Sequence, residues 1–205
     1  MAAATLDIRR WIGRAALTSA AHTGRLSLML AEIVKGLREW RIWLPRAMTE
    51  AWNIGVGSLF IVLLVSSFAG AVTAFQTGYQ FKSSLPIYVV GTLVVSSIVL
   101  ELGPVLTGLI LAGRIGARYA AELGTMRVTE QIDALESLGR SPVSHLIIPR
   151  VVAGMVMIPA LTVVSWVVGI LAGWRGARAA LPQLTDQDFM YGAALYWHPF
   201  DAWYA

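Results

Sequence analysis

The sequence contains no cysteine, which excludes a disulfide framework, a thiolate nucleophile and any Cys-based metal site. Charge is scarce as well: 14% of residues are charged against 57% hydrophobic, where a soluble domain carries about 25% charged residues. A chain of 205 residues with a mean hydropathy of +0.65 cannot hide so much apolar surface from water, and lipid is its expected solvent. His22, His145 and His198 show no ligand spacing, and neither a Gly-x-Ser-x-Gly elbow nor a Gly-x-x-x-x-Gly-Lys phosphate loop occurs. No catalytic residue and no metal ligand is assigned, and each histidine reads as interfacial or structural. The first twenty residues hold no continuous apolar run with a cleavage site, so a removable signal peptide is not expected.

What is present is a set of long charge-free runs. From Ala51 to Phe81 no residue is charged, a run longer than the ~20 residues that cross the hydrocarbon. Residues 55–75 form the first expected span, rich in small residues such as Gly55, Gly57, Ser58, Ser66 and Gly70, with Gly70 and Ala74 four apart. Such a face suits close packing against another helix or another subunit. Residues 87–113 form a second span and residues 151–174 a third. Of the 16 Lys and Arg residues, 8 precede Trp52 and 5 lie from Arg114 to Arg150. No nucleic-acid motif accompanies these blocks, and they flank apolar spans, so they read as orientation signals. The positive-inside rule then puts the N-terminus and the 114–150 loop in the cytoplasm, with Lys82 and the segment after Trp174 outside.

Three features carry functional weight. In residues 1–50, Leu26, Leu30, Ile33, Val34 and Leu37 recur at helical spacing between cations, which predicts an amphipathic helix lying in the membrane interface; packing on soluble protein is the plainer alternative. Glu101 interrupts the second span within Glu101-Leu102-Gly103-Pro104. A carboxylate there must face a partner, a cavity or water, while Gly103 and Pro104 loosen the helix. It either lines a substrate cavity or pairs with a neighbouring helix. Residues 120–138 read as one amphipathic helix, ended by Gly139 and the Ser141-Pro142 turn. It could dock a soluble partner or lie on the membrane, and periodicity alone does not choose.

The run from Glu101 to Leu135, which joins Glu-Leu-Gly-Pro to Ala121-Glu122-Leu123-Gly124 and to Thr129-Glu130-Gln131-Ile132-Asp133-Ala134-Leu135, resembles the hallmark of the MlaE/YrbE permeases of MCE-type ABC lipid transporters. The likeness continues through Ile148-Pro149-Arg150 and covers roughly residues 50 to 200. Asp133-Ala134-Leu135 with Gly139 and Ser141-Pro142 is also similar to the EAA loop of ABC importer permeases, which supplies a coupling helix to the ATPase. The resemblance thus moves residues 120–138 toward docking.

What the resemblance implies is an all-α integral membrane protein with two parts. An interfacial N-terminal region fills 1–50, and a permease domain fills 51–205, with three spans in this chain where the family has five. It implies a homodimer in the bacterial inner membrane, N-terminus in the cytoplasm. Its partners are a cytoplasmic ABC ATPase, a periplasmic MCE-domain lipid-binding protein and membrane lipids, with no nucleic acid. ATP and Mg belong to the ATPase, and no cofactor falls on this chain. Glu101, Leu102 and Pro104 are carried over as substrate-cavity residues. Glu122, Arg127, Glu130, Asp133, Leu135 and Glu136 are assigned to ATPase coupling, and Arg114 and Gly124 to bracing the motif. Family chains run longer, whereas this one stops where a fourth span would begin, amid Tyr196, Trp197, Trp203 and Tyr204; it reads as truncated there, either a fragment or a naturally short chain. The rival classes are a secondary transporter using Glu101 as a proton or ion site, and a scaffold that transports nothing.

Overall fold

The computed structural model describes the backbone of residues 2–80 and 86–195, with side chains from Leu17 onward. The turn expected at Lys82, the side chains of residues 1–16, and the aromatic run with His198 lie outside the described residues. Those described fold as helices: α1 (Ala2–Leu37), α2 (Trp40–Gln80), α3 (Val89–Ser96), α4 (Gly103–Val128), α5 (Gln131–Ser137), α6 (Ile148–Ala180) and α7 (Asp186–Leu195). Short π-helical segments, Ser97–Leu102 and Val143–Ile147, lead into α4 and α6. Three continuous helical stretches are long and apolar enough to cross a membrane: Trp40–Gln80, Val89–Val128 and Val143–Ala180. They correspond to the three spans expected from the sequence, the second starting at Val89 rather than at residue 87.

The helices outrun those spans. At 1.5 Å per residue α2 is about 60 Å long, twice the ~30 Å hydrocarbon core. Its first turns therefore emerge from the membrane, and α2 starts at Trp40 rather than near the domain division expected at residue 50. The α1–α2 corner falls at Arg38 and Glu39, where the Trp43 indole N–H donates to the Leu37 carbonyl and satisfies one free end of α1.

The two π segments share a cause. Each is followed within two residues by a proline, Pro104 or Pro149, which supplies no N–H and crowds the turn before it. The ladder shifts there, so that Gly103 N–H bonds the Ile98 carbonyl and Ile148 N–H bonds the Val143 carbonyl.

The frame of the molecule is the pair α2 and α6, which run parallel. Their buried residues recur every fourth position: Ser58, Val62, Ser66, Gly70 and Ala74 on α2, and Leu161, Ser165, Gly169, Gly173 and Ala177 on α6. A Cβ added to Gly70 would sit 2.0 Å from the Gly169 carbonyl oxygen, so the two backbones touch. The small-residue face expected on the first span thus finds its partner inside the same chain. Two apolar clusters sit on this pair. Near the middle, Leu111 of α4 packs with Ile54, Ala153 and Leu161. At the far end, Val90, Val94 and Ile98 pack with Ala74, Ala177, Leu184 and Phe189. There α7 presses on α3, with the Thr92 hydroxyl donating to the Gly192 carbonyl at 2.7 Å.

Replacing Gly70 by Ala should destabilise the protein even though Ala is the better helix former by about 1 kcal/mol, because the methyl meets backbone. A loss of about 1–3 kcal/mol or more is expected, read as a lowered thermal midpoint in detergent. Gly154→Ala, whose Cβ meets nothing within 4 Å, should leave the midpoint unchanged or raise it.

Candidate functional site

The sequence-predicted helix over 120–138 is corrected by the structure. The second spanning helix runs on to Val128, breaks at Thr129 and Glu130, and a separate short α5 follows at 131–137. Glu130 takes the left-handed conformation at φ 57°, which lets the chain change direction without a glycine. The Thr129 hydroxyl donates to the Thr125 carbonyl at 2.8 Å, beside the last helical bond from the Thr129 backbone N–H at 3.0 Å, so the end of α4 is capped from within. Arg127, the last cation of α4, pairs with Asp133 of α5 across the break. The kink is therefore tied, and α5 is held to the end of α4. Glu130 and Glu136 are exposed and Leu135 half-buried; Leu135, Ile132 and Leu138 line a cavity of about 420 Å³ shared with Met126 and Leu146. Val128 and Leu138 present apolar side chains outward, 84% and 75% exposed.

Beside this element the charged ends of three helices meet. Arg150, in the first turn of α6 and only 8% exposed, reaches Glu122 of α4 at 2.8 Å. Its guanidinium lies 5.1 Å from the centre of the Tyr119 ring and donates to the Leu146 carbonyl at 3.1 Å. The Tyr119 hydroxyl in turn donates to Glu50 of α2 at 3.2 Å. Arg46 of α2 donates to the carbonyl of His145, a buried residue whose ring also lies 3.4 Å from Arg140. Arg46, Glu50, Glu122, His145 and Arg150 border one cavity of about 340 Å³. The pair is incompletely satisfied: among the described residues neither Arg150 Nε nor Glu122 Oε2 has a hydrogen-bond partner.

Arg114 also joins helices, its guanidinium donating to the Gly57 carbonyl of α2. Gly124 does not. It faces open space among the described residues, where an added Cβ would meet nothing within 4 Å.

Glu101, Leu102 and Pro104 lie about 30 Å from Glu122 at the helical rise. Glu101 and Leu102 sit in the first π segment, and Pro104 opens α4. Glu101 is exposed on the surface of the single chain, and no described residue forms an ion pair with it. A separate apolar groove of about 480 Å³ runs between α2 and α6, lined among others by Trp52, Val56, Leu59, Met157 and Val164. The three cavity residues expected from the sequence do not line it.

Sequence reasoning missed Arg150, Tyr119, Glu50 and Arg46 as a group, although Arg150 was visible as the lone cation opening an apolar span. Glu122→Gln should lower the thermal midpoint, with a cost of about 1–3 kcal/mol for leaving Arg150 without its counter-charge. Arg150→Met combined with Glu122→Gln should cost less than the sum of the two single changes, a double-mutant cycle in thermal stability being the measurement.

With this geometry in hand, comparison with known proteins is informative. Residues 47–205 match the family described as Permease MlaE. A probable ABC transporter permease protein of Rickettsia felis is 37% identical over 169 residues, covering 82% of this chain and 65% of the relative. One from Synechocystis is 42% identical over 120 residues, covering 58% of this chain and 46% of its own length. One from Porphyra purpurea is 34% identical over 159 residues, covering 78% and 57%. The chain thus spans about two thirds or less of the length of the curated relatives it matches. Matched over residues 47–205 and holding, among its described residues, three helices long and apolar enough to cross a membrane, the chain belongs to the MlaE permease family.

Proposed function

We propose that this chain works as the membrane subunit of an ABC transporter that moves lipid, with a separate ATPase supplying the energy. The observation that carries the reading is the tied kink at Thr129–Glu130, which presents α5 and the bare apolar side chains of Val128 and Leu138 at the charged end of the bundle. Lys and Arg gather at that end, and by the positive-inside rule this supports a cytoplasmic placement for it. A short helix projecting there, with apolar groups open to water, suits a groove on a soluble partner. ATP and Mg bind that partner. This chain contributes two states of different lipid affinity rather than covalent chemistry.

Two further features support lipid as cargo and a second copy as neighbour. The groove between α2 and α6 has an almost wholly apolar lining, with walls of Trp, Leu, Val and Met, a chemistry suited to an acyl chain. Glu101 lies within a helix apolar enough to cross the membrane, exposed and without an ion pair among the described residues. A carboxylate there cannot face hydrocarbon cheaply, so the assembly covers it. Dimerisation of the permease, with Glu101 lining the cavity between copies, does so. On the opposite face of the membrane, α7 and its flanks are the ground on which an MCE-domain protein would receive lipid. α1 fits the interfacial helix of this arrangement: Leu26, Leu30 and Val34 are exposed, and its only buried described residue, Gly36, lies against Ser144 and Ile148.

Leu138→Asp should abolish co-purification of the ATPase while leaving the thermal midpoint of the permease nearly unchanged, since Leu138 stands only at the rim of the α5 cavity and is 75% exposed. Retention of the ATPase by this variant would remove α5 as the dock. In proteoliposomes, Glu101→Gln should reduce ATP-dependent lipid movement by about tenfold, equivalent to ~1.4 kcal/mol of lost coupling, with the ATPase still bound. Lipid exchange that ran without ATP and followed a pH gradient would favour the secondary-transporter reading instead.

A further inference from the structure

Building on the permease reading above, we propose that Arg150 is a positioning residue that couples α5 to the membrane helices by exchanging its carboxylate partner, Glu122 on α4 in one state and Glu50 on α2 in the other. The argument starts from which parts can move. Glu50 and Arg150 both belong to the α2–α6 pair, whose backbones touch at Gly70 and Gly169 and cannot slide without separating. Glu122 belongs to the end of α4, which carries α5 through the Arg127–Asp133 pair. Along its inner half α4 turns Gly113, Gly116 and Gly124 to an open face, where an added Cβ would meet nothing within 4 Å, and its polar links to α2 there are side-chain ones, Arg114 to the Gly57 carbonyl and Tyr119 to Glu50. A pull on α5 is therefore delivered to Glu122 and resisted at Arg150.

The local chemistry provides for two positions. Glu50, Glu122 and Arg150 border the same cavity of about 340 Å³, which leaves the guanidinium room to swing. Tyr119 touches both the cation and the second carboxylate, its ring 5.1 Å from the guanidinium and its hydroxyl donating to Glu50. The ring offers an aromatic face for a cation to cross. In the state seen here Arg150 holds Glu122 at 2.8 Å, yet Arg150 Nε and Glu122 Oε2 have no partner among the described residues. With Arg150 buried and Glu122 half-buried, a pair with unfilled hydrogen bonds stabilises little, while leaving the buried cation with nothing in return is costly. A second carboxylate in the same cavity removes that cost and makes the two arrangements comparable in energy. The remaining cation on this cavity, Arg46, is occupied by the His145 carbonyl.

The test measures lipid moved and ATP hydrolysed in one sample, using the assembled complex in vesicles of phosphatidylethanolamine and phosphatidylglycerol. Glu50→Gln and Glu122→Gln should each lower lipid moved per ATP by about tenfold, within the range of typical coupling factors, while the ATPase stays bound. The exchange of charges, Glu122→Arg with Arg150→Glu, separates partner exchange from a static brace. It should restore the thermal midpoint lost in Glu122→Gln but not the lipid-to-ATP ratio, because the new carboxylate at 150 is repelled by Glu50. Adding Glu50→Arg should recover the ratio. A double exchange that restores both quantities, or a Glu50→Gln complex with the ratio of the unaltered protein, overturns the proposal. Where an exchange variant does not assemble, Glu50→Gln alone decides. Failure of the unaltered complex to move lipid with ATP would instead sink the permease reading on which the proposal stands.

Discussion

In a bilayer the hydrophobic effect does not press helices together, because lipid tails are as apolar as leucine; helices stay joined only where their backbones can approach. α2 and α6 meet that condition with buried small residues at four-residue spacing, closing to backbone contact at Gly70 and Gly169. Everything else is placed by this pair. It supplies the walls of the apolar groove, the surface on which Leu111 of α4 is buried, and the shelf at its far end where α3 and α7 lock together.

The charged end obeys different physics. There the helices emerge from hydrocarbon and are joined by side chains rather than by backbone contact: Arg150 to Glu122, Tyr119 to Glu50, Arg114 to the Gly57 carbonyl. Such links can be remade with new partners, whereas a Gly–Gly backbone contact has no alternative state of similar energy. A rigid half inside the membrane and an exchangeable half beside it is an arrangement suited to receiving force from a soluble subunit.

The spans were legible because exclusion of charge is a strong signal: Ala51–Phe81 and Val151–Trp174 contain none, and the first as far as Gln80 and the whole of the second each lie in a continuous helix. The loosened backbone at Gly103-Pro104 was legible too, since proline's missing N–H acts locally, and it emerges as the π segment around Glu101. The break at Thr129–Glu130 was not. Left-handed backbone at a glutamate has no sequence mark, and the amphipathic pattern on either side runs through it. Helix limits shifted for a related reason, because helical propensity does not end where hydrocarbon does. Arg150 and Glu122 were each visible as charges near apolar sequence, but their meeting depends on how α4 and α6 pack, which periodicity along one helix does not contain. Whether Glu101 lines a cavity is a property of the assembly.

The most direct measurement of this account is a pair of spin-label distances in the assembled complex, made clean by the absence of native cysteine in the chain. Cysteines replacing the exposed Met48 and Ala121 report the α2-to-α4 separation, and those replacing the exposed Met48 and Val156 report α2 against α6. Between nucleotide-free and nucleotide-trapped states the first distance should change by several ångströms, roughly the size of a one-turn displacement, while the second stays fixed. A constant first distance, or a second that moves as far as the first, would contradict a lever working against a rigid helix pair.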